Sequence, residues 1–207
     1  MHQNRAEVSM KVPIARKGTK YVARALGSLK NSVPVVVAVR DMLKLARTTK
    51  EVKKLIHDKK LKINGREVKD HRESINLLSI FQADKPCILT LLPTGRFVLE
   101  EYKEKERPCK IIGEKILKGK RVQLNLHDGS NILTDKKIPI QDTVYLDLSG
   151  KVTKQVPIEK GEACIIISGK YIGRKGKVES LENANVKVKI EDISVSHFLE
   201  KRRIIAL

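Results

Sequence analysis

The stretch from Val36 to Asp70, VVAVRDMLKLARTTKEVKKLIHDKKLKINGREVKD, constrains the fold more than any other. It sets two basic amphipathic segments on either side of a capping signal and follows them with a tight turn. Pro34 suits the first position of a helix, and Val36, Val39, Leu43 and Ala46 fall on one arc at about 100° per residue. Arg40, Lys44 and Arg47 then form a basic stripe beside that arc. Thr48-Thr49-Lys50-Glu51 fits a capping box, in which the Thr48 hydroxyl and the Glu51 carboxylate satisfy free amides as a second helix begins. In that helix Val52, Leu55 and Ile56 face a core, while Lys50, Lys53 and Lys54 point the other way. Leu61 and Ile63 alternate with Lys62, and Asn64-Gly65 supplies the positive φ angles of a two-residue type I′ hairpin, with Val68 on the returning strand. Lys59, Lys60, Lys62 and Arg66 decorate the hairpin, so the whole stretch reads as a grip for RNA.

Charge supports that reading. The chain holds 43 Lys+Arg against 24 Asp+Glu, a formal charge of +19, where solubility asks for roughly 2 to 8. Such a field attracts polyanions. It is concentrated toward the N-terminus, where residues 1–85 carry 20 basic and 8 acidic groups. With four Tyr, three Phe and no Trp, the cores must rest on Val, Ile and Leu. Cys87, Cys109 and Cys164 are too far apart in sequence for metal-ligand spacing and are expected to be buried small apolar residues in a reducing compartment. No apolar run reaches membrane-spanning length, and the first residues lack the hydrophobic segment of a signal peptide. A cytoplasmic protein with no cofactor, no metal and no small-molecule substrate is expected.

In residues 1–33, Arg5, Lys11, Arg16, Lys17, Lys20, Arg24 and Lys30 face the single acid Glu7, with no apolar periodicity able to build a core. This segment is expected to be an arm that orders on phosphates. INLLSI (75–80) and CILTLL (87–92) read as buried strands. Pro93-Thr94-Gly95 turns the chain into an alternating strand at 96–99, and the mixed-charge segment 100–108 reads as an exposed connector. Residues 109–157 alternate as strands with hairpin turns at Asp128-Gly129 and Ser149-Gly150. His127 beside Asp128 is a structural pair, because neighbouring strand residues point to opposite faces.

Near the C-terminus, Gly169, Gly173 and Gly176 are spaced four and three apart between two apolar strands, surrounded by Lys170, Arg174, Lys175 and Lys177. The glycines permit a compact loop with unusual backbone angles. No Gly stands five positions before Gly176, and Val178 replaces the hydroxyl residue, so this is not a phosphate-binding P-loop.

Two stretches resemble known modules. The order Arg40-Asp41, Thr48-Thr49, the Lys50 to His57 helix and Lys62-Ile63-Asn64-Gly65-Arg66 resembles the RNA-binding module of bacterial small-subunit ribosomal protein S-four, several pseudouridine synthases and a tyrosyl-tRNA synthetase tail. The Gly169 to Val178 segment resembles a KOW motif, the strand-loop-strand core of a small SH3-like barrel. Taken together with Arg16 to Val22, Val39 to Ala46 and Thr94 to Phe97, they resemble the S-four-e family of archaeal and eukaryotic small-subunit ribosomal proteins. The chain departs from that family's pattern near its start. It lacks the apolar-Trp element of a longer basic leader, and has Leu26-Gly27-Ser28-Leu29-Lys30 where a Gly-Pro-His type element is usual.

The resemblance implies an α+β, multi-module chain: a basic arm (1–33), an S-four-type RNA-binding module (34–85), a β-rich central domain (86–157) and a KOW SH3-like barrel (158–207). It implies a non-enzymatic constituent of the small ribosomal subunit. The partners would be small-subunit rRNA and neighbouring ribosomal proteins, with no membrane and no homo-oligomer. The RNA-binding residues expected are Arg16, Lys17, Lys20, Arg24, Arg40, Lys44, Arg47, Thr48, Lys50, Lys53, Lys54, Lys59, Lys62, Arg66, Lys170, Arg174, Lys175 and Lys177. Asn64, Gly65, Gly169, Gly173 and Gly176 would shape the loops. Two rivals remain at this stage. A pseudouridine synthase needs Gly-Arg-Leu-Asp, but the pairs here continue as Gly65-Arg66-Glu67, Gly95-Arg96-Phe97 and Gly173-Arg174-Lys175. A KOW-containing transcription or translation factor would bind only transiently.

Overall fold

The run from Val35 to Val39 is apolar on every side, and a helix of that composition must be surrounded. In the computed structural model, which describes residues 2–117, 121–135, 137–182, 184–192 and 195–207, all five are at most 1% exposed. The chain divides into two units, Met1–Glu104 and Lys105–Leu207. Strands dominate and helices are few and short, an α+β architecture.

The first unit runs β1 (His2–Asn4), β2 (Tyr21–Ala23), β3 (Ser32–Pro34), α1 (Val35–Val37), α2 (Thr49–His57), β4 (Lys62–Ile63), β5 (Arg66–Glu67), β6 (Ser74–Asn76), β7 (Ile80–Gln82), β8 (Pro86–Leu91) and β9 (Phe97–Glu101). Its main sheet is antiparallel in the order β5-β4-β7-β8-β9, and β1-β2 and β3-β6 form two small pairs. Because β8 pairs with β7 and β9 with β8, the structure divides the chain after residue 104, whereas a boundary at 85/86 was expected.

The expected helix through Ala46 is cut short. After α1 the chain widens into a π-type turn over Ala38–Met42, closed by the Leu43 amide donating to the Ala38 carbonyl at 2.9 Å. Lys44 then enters the left-handed region at φ +56°. A run of β-branched valines holds a helix weakly, and burial on all sides replaces the amphipathic stripe that the spacing suggested. The amides left without an intrahelical partner at the start of α1 are met by backbone, Val35 donating to the Glu73 carbonyl and Val36 to that of His71. The strand expected over residues 75–80 is likewise split. Leu78 adopts φ +61°, and the chain passes from pairing with β3 to pairing with β4 and β8. The 1–33 segment is folded rather than a bare arm. Val12, Val22, Ala25 and Val33 are buried, β1 pairs with β2, and the Phe97 amide donates to the Lys11 carbonyl at 2.7 Å.

The second unit runs β10 (Glu106–Ile116), β11 (Val122–Leu126), β12 (Asn131–Thr134), β13 (Thr143–Asp147), β14 (Val152–Val156), β15 (Ala163–Ile166), β16 (Lys175–Glu182), β17 (Asn185–Ile190), β18 (Val195–Glu200) and β19 (Ile204–Ala206). Two five-stranded antiparallel sheets result, ordered β12-β11-β10-β13-β14 and β18-β17-β16-β15-β19. Each lies over its own core. Ile111, Leu124, Val144 and Leu146 anchor the first, and Ile166, Val186, Val188, Ile190 and Ile204 the second. A bulge between Ile111 and Gly113 lets the long β10 bend, pairing with β13 in its first half and β11 in its second.

Polar groups also tie this unit together. Arg107, expected in an exposed connector, is buried and donates from Nη1 to Asp128 Oδ2 at 2.5 Å. Asp128 also accepts from the Ser130 amide and hydroxyl, and His127 Nδ1 accepts from the Lys110 amide, so this pair is structural. Lys110 is 2% exposed, and its amine donates to the carbonyls of Lys201 and Ile204. Burial pulls its pKa down to about 8. All three cysteines are buried and free.

Candidate nucleic-acid interface

Helix α2 is built by its cap. The Thr48 hydroxyl accepts from the Glu51 amide at 3.3 Å and donates to Glu51 Oε1. The Glu51 carboxylate reaches back one residue further than a capping box requires and accepts from the Arg47 amide at 2.7 Å. These bonds, led by the one from Arg47, hold the Glu51 carboxyl below its ordinary range. Val52 is fully buried, which sends Lys50, Lys53 and Lys54 to the exposed side. None of the three has an ion pair among the described residues. Glu51, the acid within their turn, is committed to the cap.

The other expected contacts of this unit divide into free and engaged cations. Lys44 and Arg47 are exposed, but with the helix ended at Met42 they do not form one stripe with Arg40. Arg40 is half-buried and forks onto its neighbour Asp41 at 3.0 and 2.8 Å. Thr48 has its hydroxyl occupied by the cap. On the hairpin, Asn64 and Gly65 take φ +50° and +81°, as a type I′ turn requires. The Asn64 side chain also accepts from the Ile80 amide at 2.9 Å. Lys62 is half-buried, Lys59 lies 3.5 Å from Glu67, and Arg66 meets Glu73 at 2.7 Å.

Beside α2, Lys53, Ile56, His57, Lys69, Asp70 and His71 line an open cleft of about 430 Å³. Lys69 and His71 escaped the sequence reading, since the basic run after Gly65 resembled ordinary hairpin decoration. The Arg72 side chain holds the Asp70 carboxyl down at about 2. Burial lowers the His71 pKa, helped by Lys53 and Arg72 and opposed by Asp70.

A second basic surface of the first unit lies in the N-terminal segment, where Arg16, Lys17 and Lys20 are exposed. Their loop is braced from within by Arg5, whose guanidinium donates to the Ala15 and Thr19 carbonyls at 2.6 and 2.7 Å and to the Thr19 hydroxyl at 2.9 Å. Arg5 was read only as part of a charge run, because its three acceptors depend on the fold. Lys20 lies over the Tyr21 ring at 5.3 Å. Arg24 is exposed after β2.

In the second unit the glycine loop joins β15 to β16. Gly169 and Gly173 have φ +97° and +78°. A Cβ on Gly176 would stand 2.5 Å from the Lys189 carbonyl oxygen, so that glycine serves close strand pairing. Lys170 is exposed and lies 5.5 Å from the centre of the Tyr171 ring, which stacks on His197 with a 2.7 Å contact from Tyr171 Oη to His197 Nε2. Arg174 is half-buried, 3.7 Å from Asp192. Lys175 and Lys177 are exposed on β16. Among the described residues no cluster of three or more metal-ligating side chains occurs, and no helix is long and apolar enough to cross a membrane.

These surfaces are arrangements of exposed cations on two loops, a strand and a capped helix, suited to phosphate contact. Comparison with known proteins gives the following. Residues 88–153 match Ribosomal family S4e and residues 160–191 match the KOW motif. A Small ribosomal subunit protein eS4 from Methanocella arvoryzae is 30% identical over 189 residues, covering 87% of this chain and 81% of its own. One of the same name from Methanospirillum hungatei is 33% identical over 177 residues, 80% of this chain and 73% of that one. The crystal structure of the 30S ribosomal protein S4e from Thermoplasma acidophilum superposes with a TM-score of 0.72 at 19% identity, over 86% of this chain and 95% of the other, a shared fold.

Proposed function

Because the chain belongs to Ribosomal family S4e, a family of structural rather than catalytic proteins of the small ribosomal subunit, we propose that it anchors small-subunit rRNA through three basic surfaces. These are the exposed face of α2 with Lys44 and Arg47, the loop carrying Arg16, Lys17 and Lys20, and the glycine loop with Lys170, Lys175 and Lys177. Residues 158–207 act as an SH3-like KOW barrel, and the module beginning at residue 34 is the S-four-type grip. Neighbouring ribosomal proteins complete its surroundings in a cytoplasmic subunit, and the chain acts as a monomer.

The observation that carries this reading is the face of Lys50, Lys53 and Lys54, exposed and without an ion pair among the described residues, while the acid in their own turn is spent on the cap. Helical RNA presents phosphates and 2′-hydroxyls more readily than base edges, so a charged, shape-fitting surface suits it. Arg40, Arg66 and Arg174, already engaged by acids, serve to fix the surface and contribute less to binding.

The test is the salt dependence of association between the full chain and small-subunit rRNA. With roughly 6 to 10 phosphates engaged, affinity should fall by about 10³ to 10⁵ between roughly 50 and 200 mM salt. Replacing Lys50, Lys53 and Lys54 by Gln should flatten the log-log slope by about two to three. An association indifferent to salt would refute the mechanism.

A further inference from the structure

The outward positions of β16, β17 and β18 form two rows across three strands. In one row Lys177 lies opposite Lys189, which in turn lies opposite Ser196. In the next, Ser180, Lys187 and Phe198 are aligned. The alternate residues Val178, Val186, Val188 and Ile190 are buried beneath. Like charges directly opposite in an antiparallel pair repel, yet Lys177 and Lys189 both stay exposed and neither has an ion pair among the described residues. The acids nearby already have partners, and Glu179 keeps its carboxylate on this same face, where the Ser196 hydrogen bond, joined by the charges of Lys187 and Lys189, holds it ionised. Glu179 stands 3.5 Å from Lys187 and accepts a hydrogen bond from the Ser196 side chain, and Glu200 is held by Arg202 and Arg203.

Phe198 stands 55% exposed on this same face. A single exposed apolar residue is ordinary; here the ring lies one strand from Lys187 and diagonally from Lys189, on a rigid sheet. A protein groove closing over Phe198 would have to desolvate Lys177 and Lys189 and supply acids to meet them. An RNA strand brings both complements at once, a flat base for the ring and phosphates for the amines.

We propose that Phe198 is a stacking platform for an unpaired RNA base whose flanking phosphates are held by Lys177 and Lys189. This rests on the RNA-binding reading above and assigns this sheet an unpaired nucleotide rather than a duplex. Neither Phe198 nor Lys189 belongs to the glycine loop, so the site extends the interface across the sheet to its edge strand.

Two RNA hairpins test it against the full chain, one with a single bulged 2-aminopurine and one fully paired. Phe198→Leu should weaken the bulged hairpin on the order of 5- to 150-fold, the range that base–aromatic stacking implies. It should also abolish the change in 2-aminopurine emission on binding and leave the paired hairpin unaffected. Phe198→Tyr should retain both. The double substitution Lys177→Gln, Lys189→Gln should weaken both hairpins, and unchanged circular dichroism melting would show each variant folded. Unaltered binding of the bulged hairpin by Phe198→Leu overturns the platform. If the lysine variant still weakens both RNAs in that case, the broader RNA reading survives. If neither variant has an effect and binding ignores salt, the RNA assignment of this sheet falls as well. Should Phe198→Leu spare RNA binding but reduce incorporation into small subunits, the ring contacts a protein, which also overturns the proposal.

Discussion

Replacing Asp128 by Asn should destabilise the second unit by about 3 kcal/mol while leaving RNA affinity unchanged. The arithmetic begins with burial. The side chains of Arg107 and Asp128 are 9% and 4% exposed and meet at 2.5 Å, so removing the acid strands a guanidinium where water does not reach it. Breaking a buried pair in this way costs about 3–5 kcal/mol. Asn keeps an acceptor for Ser130, which donates to Asp128 through its amide at 2.9 Å and its hydroxyl at 2.6 Å. The loss therefore falls at the lower end, and Asp128→Ala, which forfeits those bonds too, should reach about 4–5 kcal/mol. For a unit with about 5–15 kcal/mol in hand, a 3 kcal/mol loss lowers the urea midpoint by about 1–3 M. Urea unfolding followed by circular dichroism reads this directly. A loss under about 1 kcal/mol would refute the reasoning. So would a large loss in the double variant Arg107→Met, Asp128→Leu, since apolar replacement of a whole buried pair is often neutral. The pH dependence has a definite sign. Burial alone would raise the Asp128 carboxyl, but the charge of Arg107 and the donors of Ser130 hold it below its ordinary value. Its stabilisation is complete above the unfolded carboxyl pKa and is lost as the pH falls through the lower, folded one.

Three further outcomes can be measured. Gly176→Ala would place a methyl 2.5 Å from the Lys189 carbonyl oxygen and 2.8 Å from Val188 Cγ1. It should therefore cost about 1–3 kcal/mol and speed amide exchange across β16 and β17. Thr48→Ala should lose about 1 kcal/mol through the cap of α2, with partial rescue by Thr48→Ser in thermal melts. Cys109 and Cys164, buried and pushed up to about 12, should resist iodoacetamide at neutral pH in the native chain and react fully once it is unfolded.

What the residues disclosed in advance was mostly local. Asn64-Gly65 demanded a type I′ turn and made one, and Thr48 with Glu51 marked the start of α2, because such signals depend on a few adjacent atoms. The spacing of Val36, Val39, Leu43 and Ala46 misled. Valines buried from every side obey no 3.6-residue stripe, and the turn at Lys44 answers to packing that sequence does not show. The N-terminal segment misled for a related reason: its core residues Val12, Val22 and Ala25 are isolated in sequence and are brought in by long-range pairing, such as β1 with β2 and the backbone bond from Phe97 to Lys11. Arginines gave the same difficulty at the interface. Composition cannot separate Lys53, which has no ion pair among the described residues, from Arg40, which is spent on Asp41, nor reveal that Arg107 lies inside.

The amine of Lys110 bears on how the second unit comes into being during synthesis. Its acceptors, the carbonyls of Lys201 and Ile204, follow it by more than ninety positions. Strand β19, which completes the sheet beside β15, follows β15 by about forty. A nascent chain folds as its segments emerge, yet here the first strand of the unit carries an amine whose two carbonyl acceptors lie in its last segment. Until residue 204 has left the ribosome that makes it, the Lys110 amine lacks at least one of its two carbonyls. The Lys110 amine therefore gains these bonds last, and a chain truncated before Lys201 should lack both of them and unfold at lower urea.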